Sequence, residues 1–333
     1  MNSSFSMSEI EFLFEDGECF PECHASSLAL LENGEILCVY FAGKHEKADD
    51  VGIFLSRRTQ NGWEKPVKLA KVDDVPHWNP VIFKIPGGVR VCFKVGREIP
   101  QWISWHTESF DQGRTWTKPV PYGNAVGPVR SKPIVLSNGK MLAPNSVETA
   151  SSWRPHVDVS EDFGAYFKRL SLIPINFSHE NDENFISGLG AIQPTIWESE
   201  KGCVHALLRT TCGYIFRSDS NDYGKTFSEA QNTSIPNNNS GIDAVNTPYG
   251  LFLAMNPVSG NWAARTPLVI LKSTDNGRTF SHFVTLADLK FDEKGNKNAE
   301  FSYPAIIADE KYLHITFTWM RRQIAYARIG LLK

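Results

Sequence analysis

Short apolar runs of four to eight residues, broken by turn-forming clusters, dominate the chain, and a helical 3.6-residue apolar period is scarce. Runs of that length bounded by Gly, Asn, Asp and Pro read as β-strands. They recur in a fixed order. A first strand opens at His24 (HASSLALL), Asn79 (NPVIFKI), Lys132 (KPIVLS), Gln193 (QPTIWE), Asp243 (DAVNT) and Tyr303 (YPAIIA), about every 56 residues. Each is followed by a turn and a second strand: EILCVYF, VRVCFKV, MLAPN, CVHALLR, LFLAMN and YLHITFTW. A third strand follows: VGIFLSRR, WISWHT, HVDVS, YIFRS, PLVILKS and IAYARI.

Most of these third strands run into an eight-residue box of the form S-x-D-x-G-x-T-[WF]. It reads SFDQGRTW at 109–116, SNDYGKTF at 220–227 and STDNGRTF at 273–280. A weaker copy, SEDFGAYF, starts at Ser160, and a degenerate one, SRRTQNGWEKP, at Ser56. An Asp side chain bonds backbone amides a few residues on, and Gly supplies the positive φ of a tight turn. Each box is therefore a turn between a third and a fourth strand, and its Asp is structural.

Six four-stranded antiparallel units predict an all-β fold, a six-bladed β-propeller with Asp-box repeats, whose radial packing leaves only short edges. The last unit ends at IAYARIGLLK without a box or a fourth strand, while IEFLF at 10–14 precedes the first unit. That spare N-terminal strand is expected beside Ile324–Ile329, closing the last blade. No Pro/Gly/Ser-rich linker divides the chain, so residues 1–333 read as one domain.

Composition narrows the function. With 34 Lys+Arg and 37 Asp+Glu the net charge is −3, which argues against a nucleic-acid partner. No apolar run reaches the length of a membrane span. The N-terminus lacks the basic start and apolar stretch of a secretory leader, and the six cysteines read as reduced and structural. A cytoplasmic location is the simplest expectation. The Cys19–Cys23 pair has no second pair to complete a zinc site, and neither a calcium-ligand run nor a cofactor motif is present.

In a propeller, inner-strand starts and second-strand ends gather around the axis on one face. Those positions hold His24, Asn79, Lys132, Gln193, Asp243 and Tyr303, then Lys44, His45, Lys94, Arg97, Glu148, Arg209, Asn256 and Arg321. Starts of third strands add Asp49, Asp50, Arg154 and Arg265. So many Arg and Lys on one face predict a site for an anionic ligand. His77, in PHWNP, joins the list either as a site residue or as a partner of a neighbouring turn.

The boxes and these residues resemble the sialidase-like superfamily of Asp-box (BNR-repeat) proteins over essentially the whole chain. The resemblance implies three arginines on a substrate carboxylate, a Tyr nucleophile assisted by a Glu, and an Asp as acid/base. Tyr303 in FSYPAI matches the nucleophile, Arg265 the third arginine, Arg209 the second, and Asp49 or Asp50 the acid/base. Two positions depart: His24 stands where the first arginine is expected, and Gln193 where the Glu is expected. Gln cannot take a proton, so Asp243 or Glu148 is the expected carboxylate nearest the Tyr303 phenol. Arg209 and Arg265 are expected to converge with Arg154 or Arg321, with Gln193, His77, Asn79, Lys94 and Lys132 as further substrate contacts. The implied function is an exo-glycosidase acting on a terminal acidic sugar of a glycan, with no cofactor and no metal. Two alternatives stay open: a lyase on a uronate-containing glycan using His24, and a propeller that binds a glycan or protein without turnover.

Overall fold

The computed structural model describes residues 9–124, 126–176, 189–289 and 299–331. Within them, six antiparallel sheets form the blades of a propeller. Blade one holds Glu22–Leu30, Ile36–Gly43 and Gly52–Thr59, with its outer strand broken into Gly62–Trp63 and Val67–Ala70. Blade two holds His77–Ile85, Gly88–Val95, Ile103–Ser109 and Val120–Asn124. Blade three holds Ile134–Val135, Met141–Glu148, Trp153–Ser160 and Lys168–Leu172. Blade four holds Ala191–Glu200, Cys203–Thr210, Tyr214–Ser220 and Gln231–Pro236. Blade five holds Asp243–Thr247, Gly250–Met255, Leu268–Ser273 and Ser281–Ala287.

Blade six holds Phe301–Ala308, Tyr312–Trp319 and Gln323–Gly330, and takes its outer strand from Glu11–Phe12. Glu11 lies opposite Tyr326 and Phe12 opposite Ala325, so the N-terminus closes the ring as the spare-strand count requires. The inner strand of blade three is shorter than KPIVLS suggests. Only Ile134 and Val135 pair with the second strand. Pro133 has no N–H to donate, and the Lys132 ammonium is drawn sideways onto Asp243.

Alternation along each strand puts apolar side chains on both faces of every sheet, because each sheet is sandwiched between two others. The core is accordingly divided into seams between neighbouring blades. One cluster joins blades one and two through Leu37, Phe41, Val91 and Phe93. Another joins blades five and six through Phe252, Ile270, Phe301 and Phe317. Leu13 and Phe14, following the closing strand, pack with Tyr40 and Tyr326 in the seam between blades six and one.

The boxes lock these seams. In the blade-two box the Asp111 carboxylate accepts from the amides of Arg114 and Thr115 and from the Thr115 hydroxyl. Gly113 has φ +76°, and a Cβ there would stand 2.4 Å from Leu37 Cδ1 of blade one. Glycine is thus required twice, for the turn and for the close approach. Arg57 of blade one then donates to the Gln112 carbonyl at 2.8 Å, and Arg217 of blade four repeats the contact on Asn276 at 2.7 Å.

Candidate active site

Four inner strands carry a β-bulge near their first residues, seen as a register shift at His24/Ser27, Trp78/Val81, Ile192/Thr195 and Ser302/Ala305. The bulged residues Ala25, Asn79, Gln193 and Tyr303 have φ of 56°, 40°, 50° and 52°. Positive φ is costly for a residue with a Cβ and collects at functional sites, and a bulge re-aims the side chain it carries. Three of these residues precede a proline, and all three side chains line one axial cavity of about 540 Å³. His24, Glu46, Glu148, Arg209, Arg265, Arg321 and four tryptophans complete most of its wall.

Arg209, at the end of the second strand of blade four, is 2% exposed. Its Nη1 donates to Gln193 Oε1 and to Tyr303 Oη, each at 2.8 Å, and its Nε donates to Asn239 Oδ1 at 2.8 Å. None of these partners is a carboxylate. The Arg209, Arg265 and Arg130 guanidiniums lie 5.6, 5.6 and 5.2 Å from the centre of the Tyr303 ring. Arg265 and Arg321 are compensated. Arg265 donates to Glu300 at 2.7 Å, and Arg321 bonds both oxygens of Glu300 at 3.1 Å and also pairs with Glu46. Burial pushes the Glu300 carboxyl up, but the two guanidiniums and the Ser302 hydroxyl outweigh it and hold the group below the usual carboxylate range.

His24 lies 4.2 Å from the Tyr303 ring, centre to centre, and shares a hydrogen bond of 2.9 Å with the Thr318 hydroxyl. Burial first, then the fields of Arg321, Arg265, Arg130 and Arg209, push its pKa well below that of a free imidazole. It is a neutral base at physiological pH. Glu148 has the opposite tendency: burial raises its carboxyl, and the pull of Arg209 and a hydrogen bond from Ser146 only partly oppose this. Aromatic walls flank the polar floor. Trp78 packs against Trp102 at 5.3 Å, and Trp153 meets Trp262 edge-on at 6.4 Å.

The model of the BNR repeat-like domain matches residues 34–315. The chain belongs to that family. Among solved structures it is similar to a protein of unknown function from Dyadobacter fermentans, with TM-score 0.76, 15% identity, 99% of this chain and 100% of that one. It is also similar to the NanB sialidase of Streptococcus pneumoniae, with TM-score 0.71, 12% identity, 97% of this chain and 70% of that one. A third similar structure is Trypanosoma rangeli sialidase in complex with sialic acid, with TM-score 0.67 and 13% identity, covering 94% of this chain and 55% of that one. At such identities the likeness is one of fold. No curated protein matches the chain by sequence.

In this BNR repeat-like propeller, His24, Asn79, Gln193, Arg209, Arg265, Tyr303 and Arg321 meet at the cavity, while seven other expected site residues lie elsewhere. Asp49 pairs with Arg97 at the rim, and Asp50 accepts the Lys44 amide at 3.1 Å; neither lines the cavity, and Glu46 does. Asp243 lies deeper along the axis. There it accepts from Lys132 at 2.8 Å, from Thr195 at 3.0 Å and from the Ile306 amide at 3.0 Å, so both Asp243 and Lys132 tie blades together. Lys94 has the register position in blade two that Arg209 has in blade four. Its ammonium is nevertheless spent on Ser104 and the Val126 carbonyl, and burial lowers its pKa to about 8. His77 donates from Nδ1 to the Val75 carbonyl and accepts the Val72 amide at Nε2, both at 2.9 Å, which is the turn-binding role. Arg154 is exposed on blade three and does not line the cavity. The carboxylate expected at the phenol is likewise not bonded to it: among the described residues the hydrogen-bond partner of Tyr303 Oη is Arg209.

Several contributors were not singled out from the sequence. Glu46 and Glu300 compensate two arginines, and the tryptophans sit on loops or at strand edges without periodic pattern. Asn239 holds Arg209 Nε and donates to Asn261 at 2.8 Å, while Asn238 donates to the Ala264 carbonyl at 2.7 Å. The run Asn237–Asn238–Asn239 is buried. An uninterrupted asparagine run next to a strand was the signal, because buried carboxamides must be bonded to something.

Proposed function

We propose that the protein binds a terminal acidic sugar of a glycan in the axial cavity and cleaves its glycosidic bond. The observation that carries this reading is Arg209, a buried guanidinium that among the described residues is bonded to the oxygens of Asn239, Gln193 and Tyr303 and to no carboxylate. Glu148 acts on it from a longer distance, and a buried charge without a directly bonded counter-charge is costly. A carboxylate ligand would supply that charge and match the planar fork of the guanidinium. Arg265 and Arg321, compensated by Glu300 and Glu46, shape the site more than they charge it. Tyr303 is the reactive candidate, its hydroxyl already bonded to Arg209. The tryptophan walls suit the apolar faces of sugar rings.

One observation favours a second reading of the chemistry. Gln193 cannot take the phenol proton, and the base seen against Tyr303 is the neutral imidazole of His24. A neutral His next to a Tyr suits removal of the proton beside a uronate carboxylate, which would make the cleavage an elimination.

The test is a panel of sialic-acid, glucuronate and neutral glycosides, with binding followed by calorimetry and products by mass. Arg209→Lys should weaken binding of the acidic members by about 10–100-fold, the loss expected for a charge-assisted bidentate contact. Binding of neutral glycosides as tight as that of the acids would overturn the reading. A product heavier by one water marks hydrolysis; an unsaturated product absorbing in the near ultraviolet marks elimination.

A further inference from the structure

We propose that Glu148 is the general acid and base of this cavity, protonating the departing glycosidic oxygen in the role that the family resemblance gave to Asp49 or Asp50. The inference rests on the reading that the cavity hydrolyses an acidic glycoside. Asp49 is paired with Arg97, and Asp50 caps the Lys44 amide outside the cavity. Glu46 is paired with Arg321, and Glu300 is held by Arg265, Arg321 and Ser302. Glu98 stands on the exposed rim. An ion-paired carboxylate resists protonation, and the proton donor in glycoside cleavage must be protonated before the bond breaks.

Glu148 meets that requirement by position. It ends the second strand of blade three opposite Trp153, and both side chains line the cavity. It is 8% exposed. Among the described residues its hydrogen bond comes from the Ser146 hydroxyl at 3.3 Å, and no cation is bonded to it. Ser146 belongs to the same strand and also lies 3.5 Å from the Gln193 amide, so the contact steadies Glu148 against blade four. Arg209 of blade four is the cation that acts on it, and burial outweighs that pull, leaving the neutral acid favoured relative to a carboxyl in water. A carboxyl whose protonated form is favoured by burial is the arrangement that general acids use.

The step balances without a further reactant. The Glu148 proton passes to the glycosidic oxygen as the bond from the anomeric carbon breaks, and the bonding pair leaves with that oxygen as an alcohol. Glu148, now a carboxylate, takes a proton from water whose oxygen bonds to the anomeric carbon. One water is consumed and the acid form is restored.

The experiment compares wild type with Glu148→Gln on two acidic glycosides of the sugar found in the panel, one with a sugar aglycone and one with 4-nitrophenol. A good leaving group needs no proton. Glu148→Gln should therefore lose about 10²–10⁴-fold in kcat on the sugar aglycone. On 4-nitrophenol the loss in bond cleavage, read as 4-nitrophenol release in a single turnover, should be under about tenfold, and the alkaline limb of the pH profile on the sugar aglycone should disappear. Binding of the free sugar acid, measured alongside, reports folding. Equal losses on both substrates, or an intact alkaline limb, would overturn the role of Glu148 and leave the proposed function standing. No hydrolysis by wild type of either substrate would overturn both.

Discussion

At the scale of single residues, the buried histidines make stability depend on pH. His77 is bonded at both ring nitrogens only when neutral, since Nε2 must accept the Val72 amide. Burial, partly opposed by the bond to the Val75 carbonyl, lowers its pKa to about 4, against about 6.5 in an unfolded chain. Between those values the unfolded chain binds the extra proton, so stability rises with pH and is lost on acidification from about 6.5 towards 4. The slope is at most about 1.4 kcal/mol per pH unit for each such histidine. The urea midpoint should therefore fall from pH 7 to pH 5, and His77→Gln should flatten that fall. An unchanged slope in the variant would show that His77 titrates alike folded and unfolded. His24, lowered in the same direction, adds to the effect and keeps the cavity's imidazole unprotonated where Tyr303 meets it.

At the scale of elements, the box and the bulge divide the labour between fold and site. Asp222 accepts from the Thr226 amide at 2.9 Å, the Thr226 hydroxyl at 2.7 Å and the Ser220 hydroxyl at 2.8 Å. Asp222→Ala should cost about 1–2 kcal/mol, the scale of a lost cap, and leave ligand affinity unchanged; a large loss of affinity would show that the box reaches the cavity. The boxes and the order of strands were legible because a turn motif depends on residues within eight positions of one another. The bulges were half legible. Asn79-Pro80, Gln193-Pro194 and Tyr303-Pro304 mark three of them, but in blade one the equivalent residue is Ala25, so His24 reaches the axis from the position before the bulge. Asp243 opens its strand and Lys132 lies just ahead of its own, yet no such bulge turns them and they pair with each other below the cavity. Strand order is written locally, whereas the direction of a side chain at the axis depends on backbone shifts and on loops from other blades. Hence Glu46, Trp102 and Trp262 were beyond a reading by repeats.

At the scale of the whole molecule, six seams share the core and a two-residue strand completes the ring. The closure is anchored beyond its two backbone pairings. Arg58 of blade one grips Glu11 with two bonds of 2.8 Å, and the Gln323 carboxamide donates to the Phe14 carbonyl at 2.9 Å. Phe14→Ala should lower unfolding free energy by about 3–5 kcal/mol, the usual cost of emptying a buried phenylalanine site, as measured in urea. A cost under about 1 kcal/mol would mean that the ring holds without this latch. The same latch imposes an order on biosynthesis. The strand that finishes blade six leaves the ribosome five blades ahead of its partner, Gln323–Gly330. At about 5–20 residues per second the closing segment waits roughly 15–60 s for the edge it fits. Glu11 is one of its two paired residues, with Glu9, Glu15 and Asp16 around them, and such charges discourage pairing with a stray edge during that interval. Five blades can assemble behind the advancing chain, but the circle, and with it the wall of the cavity built by Arg321 and Tyr303, exists only once blade six has been made.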